Sequence, residues 1–471
     1  MWRRHDPFLG EIIRFSLFCR GATLTIQVLL NLLIPDHAAD AFSPPKAPPS
    51  SLADWLVEFL LSGLGRWDAE HFLFIAEHGY LYEHNMAFFP LLPMLVAGLA
   101  RGPLLPLAGL LSLRSRLLLS AAALNCVCST LAAALLYLLG CVTLQSRRTS
   151  FLAGLLFCMS PISVFLTVSY SESLFAATTF SGLWLLQKGG VLAGSAALSL
   201  ATAARSNGLV NVGFLLYSGL KVLLHRRDNF GPLMRRLCGI LLLILPFALF
   251  QSYCYFRFCT APEEGDLVPQ DLAHLAEDRG YRLRGPPFPA WCSYRLPLAY
   301  SHIQSEYWGV GLFRYFQLQQ LPNFLLAAPV VTLGACAVLQ YVSCNLETCL
   351  TLGLVERQKK PRSGFYGPRV FVHVAHLAFL MGFGVLCMHV QVVTRLLFSS
   401  CPVLFWFCAL MLEEEEPWVW GLQRNEAACN PAMRLLRSWT SLQRRSRVLL
   451  GYFLGYWVIG TALHVNFLPW T

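Results

Sequence analysis

A chain of 471 residues that is 56% hydrophobic and 13% charged, with mean hydropathy +0.53, cannot hide its apolar runs in one water-soluble core. Many of those runs reach the roughly 20 residues needed to cross a bilayer, so the chain reads as an all-α polytopic membrane protein. The formal charge of +10 sits in short arginine clusters between apolar runs, as loop charges that set orientation do, and nucleic acid is excluded as a partner.

In chain order, Arg3 and Arg4 precede a first apolar run, Glu11 to Pro35, which Arg14 and Arg20 interrupt. It lacks a small-residue cleavage site and reads as an uncleaved span with its start on the cytoplasmic side. Residues 36–86 then face the opposite compartment. They end in the densest polar cluster of the chain, Arg66-Trp67-Asp68-Ala69-Glu70-His71-Phe72, followed by Glu77 and His78. From 87 to 111 four prolines (Pro90, Pro93, Pro103, Pro106) break an apolar segment, which is expected to be re-entrant or interfacial. Apolar runs at 117–140, 151–168, 170–187, 191–204, 208–224, 237–258, 321–343, 370–392, 396–412 and 448–467 complete a bundle of roughly eleven transmembrane helices. A large polar loop covers 259–320, and a basic cytoplasmic loop covers 413–447. The whole of 1–471 reads as one integral membrane domain.

The basic pairs test this topology. With Arg147-Arg148, Arg226-Arg227, Lys359-Lys360 and Arg444-Arg445 all cytoplasmic, alternation collects Tyr170 to Glu172, Arg205 to Asn207, the 259–320 loop and His389 to Arg395 on the side of Asp68. Ionisable groups in apolar runs cost a few kcal/mol each at the bilayer centre, so they line a cavity or pair with each other. Their convergence on one face points to a site for an anionic lipid headgroup. Asp68, beside the interfacial Trp67, would sit in partly dehydrated surroundings that raise its basicity. The plainer alternatives are a solvated helix start for Asp68 and Glu70, and a structural pair of Arg205 with Glu172. Two other classes stay open. A lipid transporter or flippase would explain intramembrane arginines, but no internal repeat is visible. A metal-dependent membrane hydrolase would use Glu70, His71 and His78, though no HExxH pattern is present.

Sixteen cysteines look like a disulfide scaffold by count, yet most lie in apolar segments (Cys126, Cys128, Cys158, Cys238, Cys336, Cys387), where cysteine behaves as a small hydrophobe. Cys259 and Cys292 flank polar sequence and are expected to form a disulfide in an oxidising compartment.

The words Ile34-Pro35-Asp36-His37, Trp67-Asp68-Ala69-Glu70-His71-Phe72, Arg205-Ser206-Asn207-Gly208, Pro322-Asn323-Phe324, Met388-His389-Val390-Gln391-Val392 and Asn466-Phe467-Leu468-Pro469-Trp470 resemble the vertebrate GPI mannosyltransferase 2 family, end to end. The resemblance implies a multi-pass enzyme of the endoplasmic reticulum membrane, of the GT-C glycosyltransferase class, with its active site lumenal. It would add the second, α-1,6-linked mannose from dolichyl-phosphate mannose to a GPI precursor, with inversion. Asp68 maps onto the catalytic acid of the first lumenal loop, beside Trp67 and Glu70. The substrate-binding set implied is His71, Glu172, Arg205, Asn207, His389, Gln391 and Arg395. No cofactor is required and no metal ligand is assigned, with a divalent ion and an accessory subunit left open. The partners expected are the lipid-linked sugar donor, the GPI precursor and membrane lipids. A lipid-phosphate donor needs no nucleotide domain, and the sequence has no Gly-rich phosphate loop.

Overall fold

The computed structural model describes residues 6–225, 230–261, 268–354, 363–420, 430–468 and 470. The pairs Arg3-Arg4, Arg226-Arg227 and Lys359-Lys360, used above to orient the chain, lie outside the described residues. Helix α1 (Pro7–Leu33) starts where the Asp6 carboxylate accepts the Phe8 N–H and Pro7 pre-sets the first turn. Three short helices follow, α2 (Leu52–Leu61), α3 (Asp68–His78) and α4 (Leu91–Arg101). Next come α5 (Leu113–Thr143), α6 (Arg147–Cys158), α7 (Glu172–Gln187), α8 (Val191–Ala204), α9 (Val212–His225) and α10 (Phe230–Phe258). The polar stretch that follows holds α11 (Gln270–Arg279) and α12 (Ala299–Glu306). The chain closes with α13 (Leu321–Cys344), α14 (Leu346–Leu350), α15 (Phe371–Cys387), α16 (Val393–Ser400), α17 (Pro402–Glu415), α18 (Pro431–Arg437) and α19 (Arg444–Val465). Among the described residues the single β-type pairing is the bridge Tyr82 to Leu283.

Seven segments among the described residues are long and apolar enough to cross a membrane: 7–33, 113–143, 206–224, 230–258, 318–344, 368–387 and 444–465. They make the chain a polytopic membrane protein. On α10, Leu237, Leu241, Leu245 and Leu249 are all exposed at a four-residue spacing, an apolar stripe that suits lipid. The broken segment 87–111 holds only the 11 residues of α4, which is too short to span.

Three expected spans are helices too short to cross a membrane. The run 151–168 is helical only to Cys158, because Pro161 cannot continue the ladder, and α7 and α8 hold 16 and 14 residues. α6 and α7 pack on α5 inside the protein, and α8 packs between α7 and α10 with Leu192 and Leu200 exposed. An apolar run says only that it is covered, and for α6 and α7 protein does the covering. The run 396–412 is likewise not one straight span, since α16 and α17 meet at an angle of 81° around Cys401 and Pro402. At the join of α5, α6 and α17 Gly140 permits close approach. A Cβ there would lie 2.7 Å from Ser150 Oγ and 3.1 Å from Trp406 Nε1.

Between α6 and α7 the chain runs through buried turns, and its backbone groups need partners that a dry interior does not supply. Arg20 of α1, itself 1% exposed, supplies donors: Nη2 to Cys158 O (2.5 Å) and Ser163 Oγ (3.2 Å), and Nη1 to Ser163 O (2.8 Å) and Thr167 Oγ1 (3.0 Å). Asn125 of α5 donates to the carbonyls of Val168 and Tyr170 and accepts from Ser173. The outcome is a rigid, non-helical lead-in to Tyr170, Ser171 and Glu172.

Candidate active site

Asp68 opens α3 through an unusual turn. Trp67 has φ 56 and ψ −131, a conformation that costs a side-chain-bearing residue of order 1–3 kcal/mol and is tolerated where the surroundings over-determine it. The turn brings the Asp68 N–H to the Tyr170 hydroxyl oxygen at 3.1 Å, so the held segment before α7 caps the helix that carries the acid.

From α16, Arg395 meets this carboxylate with both terminal nitrogens, Nη1 and Nη2 each 3.0 Å from Oδ2. Arg395 Nη1 is also 3.8 Å from Oε1 of the fully buried Glu172, and the same oxygen is ion-paired with Arg205 Nη1. Two acids and two guanidinium groups thus alternate, Asp68, Arg395, Glu172, Arg205, and their charges cancel. The Arg395 guanidinium also lies over the rings of Tyr170 and Phe165, 5.4 and 5.5 Å from their centroids. Among the described residues nothing hydrogen-bonds to Asp68 Oδ1.

Burial pushes the Asp68 carboxyl up, but Arg395, then His71 and Arg205, outweigh it and hold the group below its ordinary value. The expectation of raised basicity is therefore reversed: dehydration was legible in the sequence, the bidentate arginine was not. Asp68 is a carboxylate at neutral pH.

A cavity of about 880 Å³, counted out to its mouth, opens beside this network. Asp68, Arg205, Asn207, His389 and Arg395 line it, with Phe88, Tyr300 and Trp308 as aromatic walls. Arg205 spends Nη1 on Glu172 and Ser171 Oγ (3.3 Å) and Nε on Asn207 Oδ1 (3.4 Å), leaving Nη2 without a hydrogen bond among the described residues. Asn207 donates in turn to Ser400 Oγ at 3.1 Å. The pairing of Arg205 with Glu172 is the structural alternative weighed above, and the structure has both features at once, a paired arginine that also lines the cavity.

Other predicted site residues are placed differently. Glu70 accepts from Arg114 Nη2 at 2.6 Å and lies 3.3 Å from Lys46 Nζ, away from the cavity. His71 does not line it either. Its ring is sandwiched between Phe42 and Phe88, with centroids 4.3 and 4.5 Å away, and Nδ1 is 3.3 Å from Asn85 Oδ1. Burial, partly offset by Asp68, keeps this imidazole below its ordinary value and neutral. His78 is 3.9 Å from Glu77. Glu70, His71 and His78 therefore do not converge as the hydrolase reading requires, and no group of three or more metal-type ligands is gathered among the described residues. His389 stacks on Tyr315 at 4.6 Å and its Nε2 bonds the Trp308 carbonyl, which places the proton on Nε2. Burial lowers its pKa, so it is neutral and has no second N–H for a phosphate. Gln391 accepts from the Tyr315 hydroxyl at 3.2 Å and lines a second, smaller cavity with Trp67.

Sequence reasoning gave no role to Phe88, Tyr300 or Trp308, and gave Tyr170 only its face of the membrane. Tyr170 had a signal, its place beside Glu172 in a polar tetrad, whereas Trp308 is one aromatic among many in a long polar loop. Cys259 and Cys292 are bonded, with Cα atoms 5.5 Å apart, and tie the end of α10 to the loop that carries Trp308.

A membrane-spanning helical bundle that sets a fixed carboxylate and a cavity-facing arginine in one cleft defines a class, the integral membrane enzyme. Residues 9–471 match the family described as Mannosyltransferase (PIG-V), and the chain belongs to that family. It is 49% identical to the GPI alpha-1,6-mannosyltransferase 2 of Cricetulus griseus and 48% identical to that of Homo sapiens, in each case over 100% of both chains. It is 31% identical to the GPI mannosyltransferase 2 of Drosophila melanogaster, over 98% of this chain and 99% of that one. Among solved structures it is similar to the oligosaccharyltransferase AglB of Archaeoglobus fulgidus, with a TM-score of 0.43 and 11% identity over 95% of this chain and 56% of that one.

Proposed function

We infer that this mannosyltransferase adds the second, α-1,6-linked mannose of the GPI anchor, taking it from dolichyl-phosphate mannose on the lumenal face of the endoplasmic reticulum membrane. The observation that carries the reading is the division of labour in the Asp68 carboxylate: Oδ2 is fixed by Arg395 while Oδ1 has no hydrogen bond among the described residues, and Asp68 lines the same cavity as Arg205. Asp68 Oδ1 takes the proton from the acceptor hydroxyl as that oxygen bonds the anomeric carbon. The bond from that carbon to the phosphate oxygen breaks, and the lipid phosphate leaves with its electron pair. Charge grows on the phosphate as it leaves, and the unpaired edge of Arg205 is placed to receive it. An ionised carboxylate suits an inverting transfer, since it needs no proton of its own, and Arg395 holds it in place.

The network is neutral before substrate arrives, so a lipid phosphate adds one net negative charge and a fork of donors in a dehydrated cleft offsets it. The apolar walls around it, Phe72, Phe88, Phe89 and Leu396, suit a donor whose remaining bulk is lipid. The test is complementation of cells that lack the second GPI mannose. Surface display of GPI-anchored proteins should return with this chain, and a cell that stays negative while holding normal amounts of the protein would reject the assignment.

A further inference from the structure

Asp68 lines two cavities. The second, about 530 Å³ counted to its mouth, shares Asp68, Tyr170, Val392 and Arg395 with the first as a common wall, and is closed elsewhere by Trp67, Gln391, His464 and Trp470. Its lining is odd for a protein interior. Among the described residues, Trp67 Nε1, His464 Nε2 and Trp470 Nε1 are all buried without a hydrogen-bond partner, and so is Arg395 Nε. His464 and Trp470 are 1% and 9% exposed. Buried polar atoms are nearly always paired, so several orphans around one small cavity point to a ligand that brings hydroxyl groups.

We propose that this second cavity holds the terminal hexose of the acceptor, with the indoles of Trp67 and Trp470 and the imidazole of His464 as its recognition surface. The assignment rests on the mannosyl transfer inferred above and adds which side of Asp68 each substrate uses. The lining chemistry separates the two. The larger cavity offers Arg205 in addition to the shared arginine, and apolar walls, which suit a lipid phosphate. The smaller offers aromatic faces and neutral hydrogen-bonding groups, with no cation besides the one already spent on Asp68, which suits an uncharged sugar. Inverting displacement requires the nucleophile to approach the anomeric carbon from the side away from the leaving phosphate. Two cavities meeting at the base provide that line. Acceptor oxygen bonds carbon, its proton passes to Asp68, and the phosphate leaves into the first cavity.

The cavity is built by strained and close-packed backbone. Trp67 carries the positive φ described above, and Trp470 lies so close over α19 that a Cβ at Gly460 would sit 2.3 Å from its ring. Trp470 also packs on Tyr456, with centroids 5.0 Å apart, while His464 packs on Phe165 and Tyr170 at 5.4 Å each. The walls are therefore fixed before the sugar arrives, as recognition of a small polar ligand needs.

Microsomes bearing His464→Gln and Trp470→Ala would be assayed for mannose transfer at varied concentrations of synthetic mannosyl-glucosaminyl-phosphatidylinositol and, separately, of dolichyl-phosphate mannose. The expected result is a rise of about tenfold in the acceptor KM with the donor KM unchanged. In parallel, the chain with Trp470→p-benzoylphenylalanine would be irradiated with radiolabelled acceptor, which should crosslink, and with radiolabelled donor, which should not. The crosslink does not depend on turnover and covers the case in which Trp470→Ala is poorly folded. A rise in donor KM, or a donor crosslink, would overturn the assignment while leaving mannosyl transfer intact. Unchanged KM values for both substrates with no crosslink would show that the cavity holds water only, and would also overturn it. Absence of any transfer by the unaltered chain would instead reject the reading on which the proposal rests.

Discussion

Arg20 and Arg395 are both guanidinium groups set in apolar sequence, and the company each keeps is different. Arg20 is fully buried in α1 and, among the described residues, donates to carbonyl and hydroxyl oxygens and to no carboxylate. Arg395 grips one carboxylate with two nitrogens, approaches a second, and borders both cavities. A buried arginine held by neutral backbone is a fastener, because its donors are spent on tying the turns between α6 and α7 to α1. An arginine held by acids at a cavity wall sets charge where substrate arrives. The partners separate the two roles, and the presence of a cation in a membrane segment does not.

Four outcomes would break or sharpen this contrast. Asp68→Asn keeps the shape of the side chain and removes the base, so transfer per folded molecule should fall about 10²- to 10⁴-fold while the protein remains in the membrane. Transfer assays normalised to immunoblotted protein measure this, and near-normal turnover would remove Asp68 from the mechanism. Arg20→Met removes four buried hydrogen bonds, to Cys158 O, Ser163 O, Ser163 Oγ and Thr167 Oγ1, which should cost about 2 kcal/mol or more at about 0.5–1.5 kcal/mol for each bond lost. A fall of several degrees or more in the melting temperature of detergent-purified protein would register it. Glu70→Gln cuts the ion pairs to Arg114 and Lys46 outside the cavity, so stability should drop by about 1–3 kcal/mol with turnover changed less than about threefold. A large loss of turnover at normal stability would return Glu70 to the catalytic set.

The smallest effect concerns pH. The folded Asp68 carboxyl is held below its ordinary value near 3.9, so its base form predominates above about pH 4 and is lost as pH falls further. His71 beside it is held below its ordinary value near 6.5, chiefly by burial, so it takes up its proton at lower pH than a free imidazole does. The rate at saturating substrate should therefore be flat between about pH 8 and pH 5. An acid limb centred between about 6 and 7 would mean that burial, and not Arg395, governs the carboxylate.

Much of the site was legible because charges cannot be left alone in apolar sequence: Asp68, Glu172, Arg205 and Arg395 stand out and they do meet. The four prolines between 87 and 111 likewise announced a segment that does not span. Helix phase explains why Glu70 was misplaced. Two residues along a helix of 3.6 per turn put it on the face away from Asp68, where Arg114 waits. The 151–168 run misled for another reason, since burial against protein and burial in lipid select the same residues. Arg20 looked like an interruption of the first span because its partners lie more than a hundred residues away, in turns that have no sequence signature of their own. Trp308 and Trp470 are equally remote from Asp68, and only the folded chain brings them beside it.

The most direct test of the contrast is the pair Arg20→Lys and Arg395→Lys, each purified and assayed for mannose transferred per folded molecule. Lysine keeps the charge and loses the fork. Arg395→Lys should retain its folded yield and lose turnover by about tenfold or more, because one ammonium cannot hold Asp68 Oδ2 as two guanidinium nitrogens do. Arg20→Lys should lose folded yield and keep turnover in the molecules that remain. The opposite pattern, full turnover with Arg395→Lys and a turnover defect confined to Arg20→Lys, would contradict the assignment of the two arginines.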